Sequence, residues 1–130
     1  MRVAGFGMNS RATLESLRAA LAAAGPAEAL AALGGAGPAE ALAALPGHAA
    51  MVAELARALD LPLIEVASVA GILTPTQSSR SLAAHHTGSI AEAVALAAAG
   101  PGARLLAPRA TSPDRCATCA IAVIRPGAST

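Results

Sequence analysis

The chain opens with Arg2-Val3-Ala4-Gly5-Phe6-Gly7, a short apolar run that closes on two spaced glycines. Such a run is typical of a buried strand, and we predict β-structure over residues 2–7. A helix is expected next, because Leu14, Leu17 and Leu21 recur at helical spacing on one face. Gly25-Pro26 supplies residue types that end a helix. The first unit of the chain is therefore predicted to be a strand followed by a helix.

The same alternation continues along the chain. Ser89 and Glu92 have the spacing of a capping box, which opens a helix, and Asn9 or Ser10 is the expected cap of the first helix. The further predicted elements are a helix over 50–59, a strand over 62–67, a helix from 89 to about 99, a short strand over 104–107, a polar loop over 109–115 and a last strand over 117–124. Residues 68–88 are predicted to be mostly irregular, with room for a short helix over 78–86. This order predicts an α/β sandwich with a mainly parallel sheet.

An internal repeat follows the first helix. Residues 25–33 recur as residues 37–45. Solenoid repeats have about 20 residues or more, so we interpret this shorter unit as a local duplication that enlarges one connection. Its Gly-Pro-Ala-Glu start suits the beginning of a helix, whereas the second copy can instead run into a strand near 41–45. The local pattern allows both structures.

Composition limits the classes of function. The 130 residues suffice for one domain, which we predict over 1–130. A single aromatic residue, Phe6, and a net charge of +1 provide neither the stacking platforms nor the basic surface that nucleic-acid binding needs. The sequence contains no apolar window of membrane-spanning length and no signal-peptide pattern. We therefore expect a cytoplasmic protein with no nucleic-acid and no membrane partner.

The sequence contains nine arginines and no lysine. Ligands of such sheets bind beyond the carboxyl ends of the strands, so the loops of interest are 5–13, 45–49, 67–82 and 107–116. Arg11 and Arg109 lie in two of these loops. Because the guanidinium group suits bidentate recognition of carboxylates, both are candidate ligand contacts. Solvated surface arginines are the alternative interpretation.

Two motifs of other protein classes are present only in part. Gly5 and Gly7 partly match a dinucleotide loop, but Ser10 occupies the position of the third glycine, so we predict no nucleotide and no other cofactor. These glycines fit either a close ligand approach or a tight turn. Cys116 and Cys119 match C-x-x-C, yet a strand would place their side chains on opposite faces roughly 10 Å apart, beyond disulfide reach. We predict that they serve as small packing residues.

The histidines and serines form no recognisable catalytic or metal-binding set. His85 and His86 are adjacent, which makes joint ligation of one ion difficult, and His48 is distant along the chain. No base can be assigned to the serines around Arg80. We predict no catalytic residue and no metal site, and the sequence favours binding over catalysis.

Several segments together resemble one known family. Residues 3–7, followed by Ser10, Arg11 and the segment 17–21, resemble the opening of the CobE proteins of cobalamin (vitamin B12) biosynthesis. The same domain forms the C-terminal part of CbiG proteins, and the stand-alone CobE form is the more similar one. Further resemblance lies in Thr87-Gly88-Ser89-Ile90-Ala91-Glu92-Ala93, in residues 99–109 and 117–122, and in a central loop with Thr74, Ser78 and Arg80. This ordered set covers nearly the whole chain.

The resemblance implies a three-layer α/β/α sandwich with a mainly parallel, mixed sheet of about five strands. It also implies a role in the aerobic route to cobalamin, in which this protein binds or hands on a carboxylate-rich corrinoid or precorrin intermediate. Other enzymes of the pathway are possible partners. The predicted ligand-binding residues are Gly5, Gly7, Ser10, Arg11, Thr74, Ser78, Gly88, Ser89 and Arg109. For Ser89, helix capping is the alternative role.

Two other functions stay open at this point. One is a hydrolase acting on a lactone- or acetyl-bearing corrin precursor, which the resemblance to CbiG implies as a cobalt-precorrin-5A-hydrolase-like activity. In that case His48 or a loop hydroxyl would activate a water molecule. The other is a protein–protein adaptor of the pathway with no ligand of its own.

Overall fold

The computed structural model describes residues 2–24, 41–67, 90–100, 102–106 and 109–123 of the chain. Within these ranges the strands are β1 (Arg2–Met8), β2 (Ala41–Ala44), β3 (Leu63–Glu65), β4 (Arg104–Leu105), β5 (Ala110–Thr111) and β6 (Ala117–Val123). The helices are α1 (Leu14–Ala24), α2 (Ala49–Leu59) and α3 (Ile90–Ala99), and one 3-10 turn spans Pro46–His48. The helix considered for 78–86 and most of the duplicated segment lie outside the described residues. No helix in the described ranges has the length and apolar character needed to cross a bilayer.

The strands form one mixed sheet in the order β3-β2-β1-β6-β4, and β5 also pairs with β6. The pairs β1–β2 and β2–β3 are parallel, whereas β6 runs antiparallel to β1, β4 and β5. Arg2 lies opposite Val123 at one end of the central pair, and Met8 lies opposite Ala117 at the other end. The predicted α/β fold with a mixed sheet is confirmed, with six strands where about five were expected. Residues 41–44, which belong to the second copy of the repeat, form the strand β2.

Different helices cover the two faces of the sheet. Phe6 of β1 packs on one side with Leu17 of α1 and Leu55 of α2, and all three are fully buried. Val3 of β1 points to the other side, where it packs in a cluster with Val94 of α3. This division follows from the strand period of two, which sends neighbouring side chains to opposite faces. The result is the three-layer α/β/α arrangement that the resemblance implied.

Gly5 brings β1 and α3 into backbone contact. A Cβ atom at this position would lie 2.5 Å from the carbonyl oxygen of Ala91 and 2.5 Å from the amide nitrogen of Ala95. Both of these atoms belong to the helix backbone, so no side-chain rotation can relieve the overlap. Glycine at residue 5 is therefore required for α3 to lie at this distance from the sheet.

The start of α1 differs from the prediction. Neither Asn9 nor Ser10 caps the helix, because the first helical residue is Leu14. Thr13 caps it in reciprocal contact with Ser16: the Ser16 amide donates to Thr13 Oγ1 at 3.3 Å, and the Thr13 amide donates to Ser16 Oγ at 3.1 Å. Asn9 instead closes a turn, since its Oδ1 accepts a hydrogen bond from the amide of Arg11 at 2.9 Å.

The interpretation of residues 109–115 as a loop was also wrong in part. Ala110 and Thr111 form β5 and lie opposite Cys119 and Thr118 of β6. The amide of Leu106 bonds to the carbonyl of Ile121 at 2.9 Å, so β4 and β5 occupy one outer row along β6. Ala110 and Thr111 form a strand because they pair with β6, and their residue types alone do not indicate it.

We expect Gly5→Ala to destabilise the protein by about 2–3 kcal/mol, because the added methyl group must push the α3 backbone away from β1. Gly47→Ala is the matched control, since a Cβ there meets no atom within 4 Å. Urea unfolding followed by far-UV circular dichroism measures both variants. Equal losses of stability in the two variants would contradict the backbone contact at Gly5.

Candidate functional site

The loops that follow the parallel strands meet at one edge of the sheet. β1 ends at Met8 and β2 at Ala44, while the antiparallel β6 begins beside them at Ala117. The amide of Asn9 donates to the carbonyl oxygen of Cys116 at 3.0 Å, which joins the loop after β1 to the loop before β6. The described parts of the loops singled out from the sequence therefore share the carboxyl edge of the parallel strands, where sheets of this type bind ligands.

An open cleft of about 580 Å³ lies at this edge. The loop between β1 and α1 forms one wall, and the 3-10 turn with the first turns of α2 forms the other. Its lining residues are Met8, Asn9, Ser10, Ala12, Gly47, His48, Ala50, Met51 and Glu54. Its volume falls within the range of about 300–1,000 Å³ that small-molecule sites occupy.

The cleft combines apolar walls with a few polar groups. Met8 and Met51 offer flexible thioether side chains that adapt to flat apolar surfaces. Ser10 offers a hydroxyl group, and His48 and Glu54 offer an imidazole and a carboxylate. Of the residues that line the cleft, the sequence predicted Ser10 as a ligand contact and His48 as the base in the alternative function of a hydrolase. Glu54 was missed because its contribution depends on the direction of α2, which sequence spacing does not reveal.

Ser10 and Arg11 of the predicted site lie at the cleft. Ser10 lines it, and Arg11 is exposed between two lining residues, Ser10 and Ala12. The turn closed by Asn9 fixes the main chain at Arg11. The guanidinium group of Arg11 is thus carried by the rim of the cleft and is accessible to an anionic ligand.

Arg109 lies away from the cleft, partway along the outer row of the sheet, because the next residue, Ala110, is opposite Cys119, which pairs with Phe6 of β1. It is half-buried immediately before β5, in the outer row beyond β6, and not at the carboxyl end of a strand as its position in the sequence indicated. Its amide donates to Oε2 of Glu92 in the first turn of α3 at 2.8 Å. With strands about 4.8 Å apart, the row that carries Arg109 lies roughly 10 Å from β1. Arg11 therefore lies at the rim of the cleft, whereas Arg109 lies beyond β6 and does not line it.

The remaining predicted residues divide into two groups. Gly5 and Gly7 lie beneath α3, and a Cβ on Gly7 would come within 2.9 Å of Thr118 Oγ1 and 3.4 Å of Ile90 Cβ. Because these two residues have no side chains, β1 can pack closely against its neighbours. A role in ligand binding stays a prediction for them. It also stays a prediction for four residues outside the described ranges: Thr74, Ser78, Gly88 and Ser89.

Asp114 ties together two loops at the carboxyl edge. Its Oδ2 accepts a hydrogen bond from Ser16 Oγ at 2.6 Å, and its Oδ1 accepts from Ser112 Oγ and, at 3.0 Å, from the amide of Cys116. Ser16 also bonds with the N-terminal cap Thr13, so Asp114 is linked to the start of α1. This network fixes the end of the β1–α1 loop relative to the loop before β6.

The charge of Asp114 is stabilised by these contacts. Hydrogen bonds from Ser112, Ser16 and the Cys116 amide, in that order of importance, lower the pKa of Asp114 below its ordinary value of 3.8. No local motif marks Asp114, because its partner Ser16 is distant in the sequence. Only the Thr13–Ser16 spacing, which resembles a capping pair, signals part of the network.

The prediction that both cysteines serve as small packing residues holds for Cys119 of β6 and is wrong for Cys116, which precedes that strand. Both are free thiols; Cys119 is fully buried, and burial raises the pKa of its thiol. Cys116 is half-exposed in the loop before β6. The description of Cys119 as a small packing residue is confirmed. Among the described residues no group of three His, Cys, Asp or Glu side chains forms a candidate metal site.

Fold and cleft together define a small α/β/α domain with an open cleft at the carboxyl ends of its parallel strands. The chain belongs to the family described as Cobalamin synthesis G C-terminus, whose model matches residues 2–122. This membership confirms the resemblance found in the sequence. It places the chain in cobalamin biosynthesis.

Solved structures agree with this assignment. The crystal structure of CobE, a protein from the cobalamin (vitamin B12) biosynthetic pathway, matches with a TM-score of 0.69 and 28% identity over 96% of this chain and 91% of that chain. The crystal structure of cobalamin biosynthesis protein chiG from Agrobacterium tumefaciens str. C58 matches with a TM-score of 0.61 and 34% identity over 95% of this chain and 98% of that chain. No curated protein sequence gives a significant match.

We expect Asp114→Asn to lower stability most at neutral pH. The folded carboxyl group binds its proton more weakly than the unfolded one, so its charge contributes stability above the ordinary pKa of 3.8, and this contribution is lost as the pH falls through the lower, folded-state pKa. The stability gap between wild type and Asp114→Asn should therefore shrink from about pH 7 to about pH 3 in urea unfolding. Ser112→Ala removes the hydrogen bond that lowers the pKa of Asp114 most. The stability of this variant should therefore also depend less on pH than that of the wild type. A gap that stays constant with pH would rule out this role of the charge.

Proposed function

We propose that this protein binds a carboxylate-rich corrinoid or precorrin intermediate and hands it on within cobalamin biosynthesis. The observation that carries the proposal is the open cleft of about 580 Å³ with Arg11 on its rim. Family membership, which shows a role in cobalamin biosynthesis, supports a ligand from that pathway, and the cleft offers a place for it at the carboxyl edge. Other enzymes of the pathway, to which the ligand would be passed, are the further partners of this proposal.

The chemistry of the cleft suits one edge of such a ligand. Corrin precursors combine a wide, flat, largely apolar ring with peripheral acetate and propionate groups. Met8 and Met51 can contact the ring face, while Arg11 can form paired hydrogen bonds with a carboxylate outside the cleft. We expect Arg109, on the far side of β6, to contact a second carboxylate of a ligand large enough to reach beyond the cleft. Tight enclosure is not needed for a ligand that is bound only to be released.

Glu54 adds a constraint on orientation. Among the described residues that line the cleft it is the only carboxylate, and no arginine joins it there. A ligand carboxylate pushed into the cleft would approach a like charge, which is unfavourable. The ligand is therefore expected to direct an uncharged part of its ring into the cleft and its carboxylates towards Arg11.

A hydrolase is the second candidate function, because His48 and Glu54 line the same cleft. In this reaction His48 takes a proton from water as the oxygen attacks the lactone carbonyl carbon. The ring C–O bond breaks, the proton passes to the departing oxygen, and a carboxylate and a hydroxyl group result. A carboxylate in the same cleft, that of Glu54, would stabilise the protonated imidazole. A pathway adaptor with no ligand is the third candidate.

One experiment separates the three functions. The purified protein is mixed with precorrin intermediates, and bound pigment is followed by absorbance and mass. Retained and unchanged pigment supports the carrier. A mass gain of one water with turnover supports the hydrolase, and absence of any retained pigment leaves the adaptor.

Turnover also depends on His48 if the protein is a hydrolase. His48→Ala and Glu54→Gln should then abolish or strongly reduce the mass gain while pigment is still retained. A carrier should retain unchanged pigment with either variant. Comparing mass spectra of the bound pigment after equal incubation distinguishes these outcomes.

We expect Arg11→Ala and Arg109→Ala each to weaken pigment binding about fivefold to tenfold, because each removes a charged hydrogen-bond donor for a ligand carboxylate. Arg57→Ala is the matched control, since Arg57 is exposed in the last turn of α2, far from the carboxyl edge. Titration followed by absorbance gives the dissociation constants. If both variants bind like wild type, recognition of carboxylates by these arginines is wrong.

A further inference from the structure

Glu92 is a charged side chain in the protein interior. It lies in the first turn of α3 and is fully buried. Burial of a carboxylate is costly unless hydrogen bonds replace its water shell. One such bond is the contact of its Oε2 with the amide of Arg109 at 2.8 Å. A carboxylate makes this a charge-assisted bond, which is stronger than a bond between neutral groups.

The position of Glu92 is set by the packing of α3. The backbone oxygen of Ala91, the preceding residue, lies against Gly5, so the first turn of the helix is held against β1. The helix N-terminus also carries partial positive charge, which favours a carboxylate there. Glu92 is therefore an acceptor held on the helix layer by the contact between α3 and β1.

The segment that carries Arg109 has less support of its own. β5 consists of two residues, Ala110 and Thr111, which pair with β6. Arg109 precedes this short ladder and is attached to the helix layer through its amide. The contact with Glu92 is thus a second attachment of the main chain at Arg109, besides the ladder at Ala110, and it helps to fix the point from which the guanidinium group extends.

We propose that Glu92 is a positioning residue that acts through Arg109: its bond to the Arg109 amide holds that arginine in place for a ligand carboxylate. This inference rests on the proposed function, because it assigns Arg109 to ligand recognition. Glu92 was expected to serve only as the capping partner of Ser89, which lies outside the described residues. The contact with Arg109 gives it a long-range role that a capping motif does not require.

Two variants of similar volume test the bond. Glu92→Gln keeps an oxygen that can accept from the Arg109 amide, whereas Glu92→Met fills the same space without an acceptor. Hydrogen exchange of the Arg109 amide in the free protein should accelerate at least about tenfold in Glu92→Met and much less in Glu92→Gln. Unchanged exchange in Glu92→Met would overturn the inference. Circular dichroism checks that both variants remain folded.

The functional part is tested with cobyrinic acid, a corrin that bears several carboxylates, in a double-mutant cycle. Glu92→Met should weaken binding about as much as Arg109→Ala, and Glu92→Gln should restore it. In an Arg109→Ala background Glu92→Met should have no further effect, whereas in an Arg11→Ala background the two effects should multiply.

The outcomes separate this inference from the proposed function. If the wild-type protein binds neither cobyrinic acid nor a precorrin, both are overturned. If wild type binds but Glu92→Met weakens binding equally with and without Arg109, only the role of Glu92 is overturned. A general loss of structure would also weaken binding in the Arg109→Ala background, so the cycle distinguishes positioning from damage to the fold.

Discussion

With no side chain at Gly5, the backbone of α3 lies directly on the central strand, and Ala91 and Ala95 occupy the space that a Cβ atom would take. The close approach fixes the height of the helix above the sheet. Residues near its N-terminus, including the buried Glu92, are therefore held in place relative to β1 and β6. The organisation of the carboxyl edge on this face depends on that contact. The opposite face is packed by side chains, among them Phe6 and the leucines of α1 and α2.

The carboxyl edge is stabilised by side chains that a ligand need not touch. Asp114 joins the cap of α1 to the loop before β6, and Glu92 joins α3 to the outer row of the sheet. Both carboxylates accept hydrogen bonds from main-chain amides, and Asp114 also accepts from hydroxyl groups. Arg11 is exposed, so it can present its charge to solvent.

The sequence predicted most of the framework and part of the site. Apolar runs and helical stripes gave β1, α1, α2, α3 and β6 to within a few residues, because each has its own periodicity. β5 could not be found, since two residues become a strand only through pairing with Cys119 and Thr118. The cleft wall formed by His48, Met51 and Glu54 depends on how α2 packs, and the Asp114 network depends on Ser16, which is distant in the chain. Local patterns carry no information about such contacts.

The pairing of Arg2 with Val123 brings the first and last described strands side by side at the end of the sheet opposite the cleft. The two ends of the described chain, Arg2 and Val123, therefore lie on the same side of the sheet, away from the cleft. A unit of this geometry can be built into a longer chain as a compact insert, or be reconnected with a short linker and opened at another loop, while its carboxyl edge stays accessible. The antiparallel β6, which departs from an all-parallel arrangement, is the feature that gives the domain this modular character.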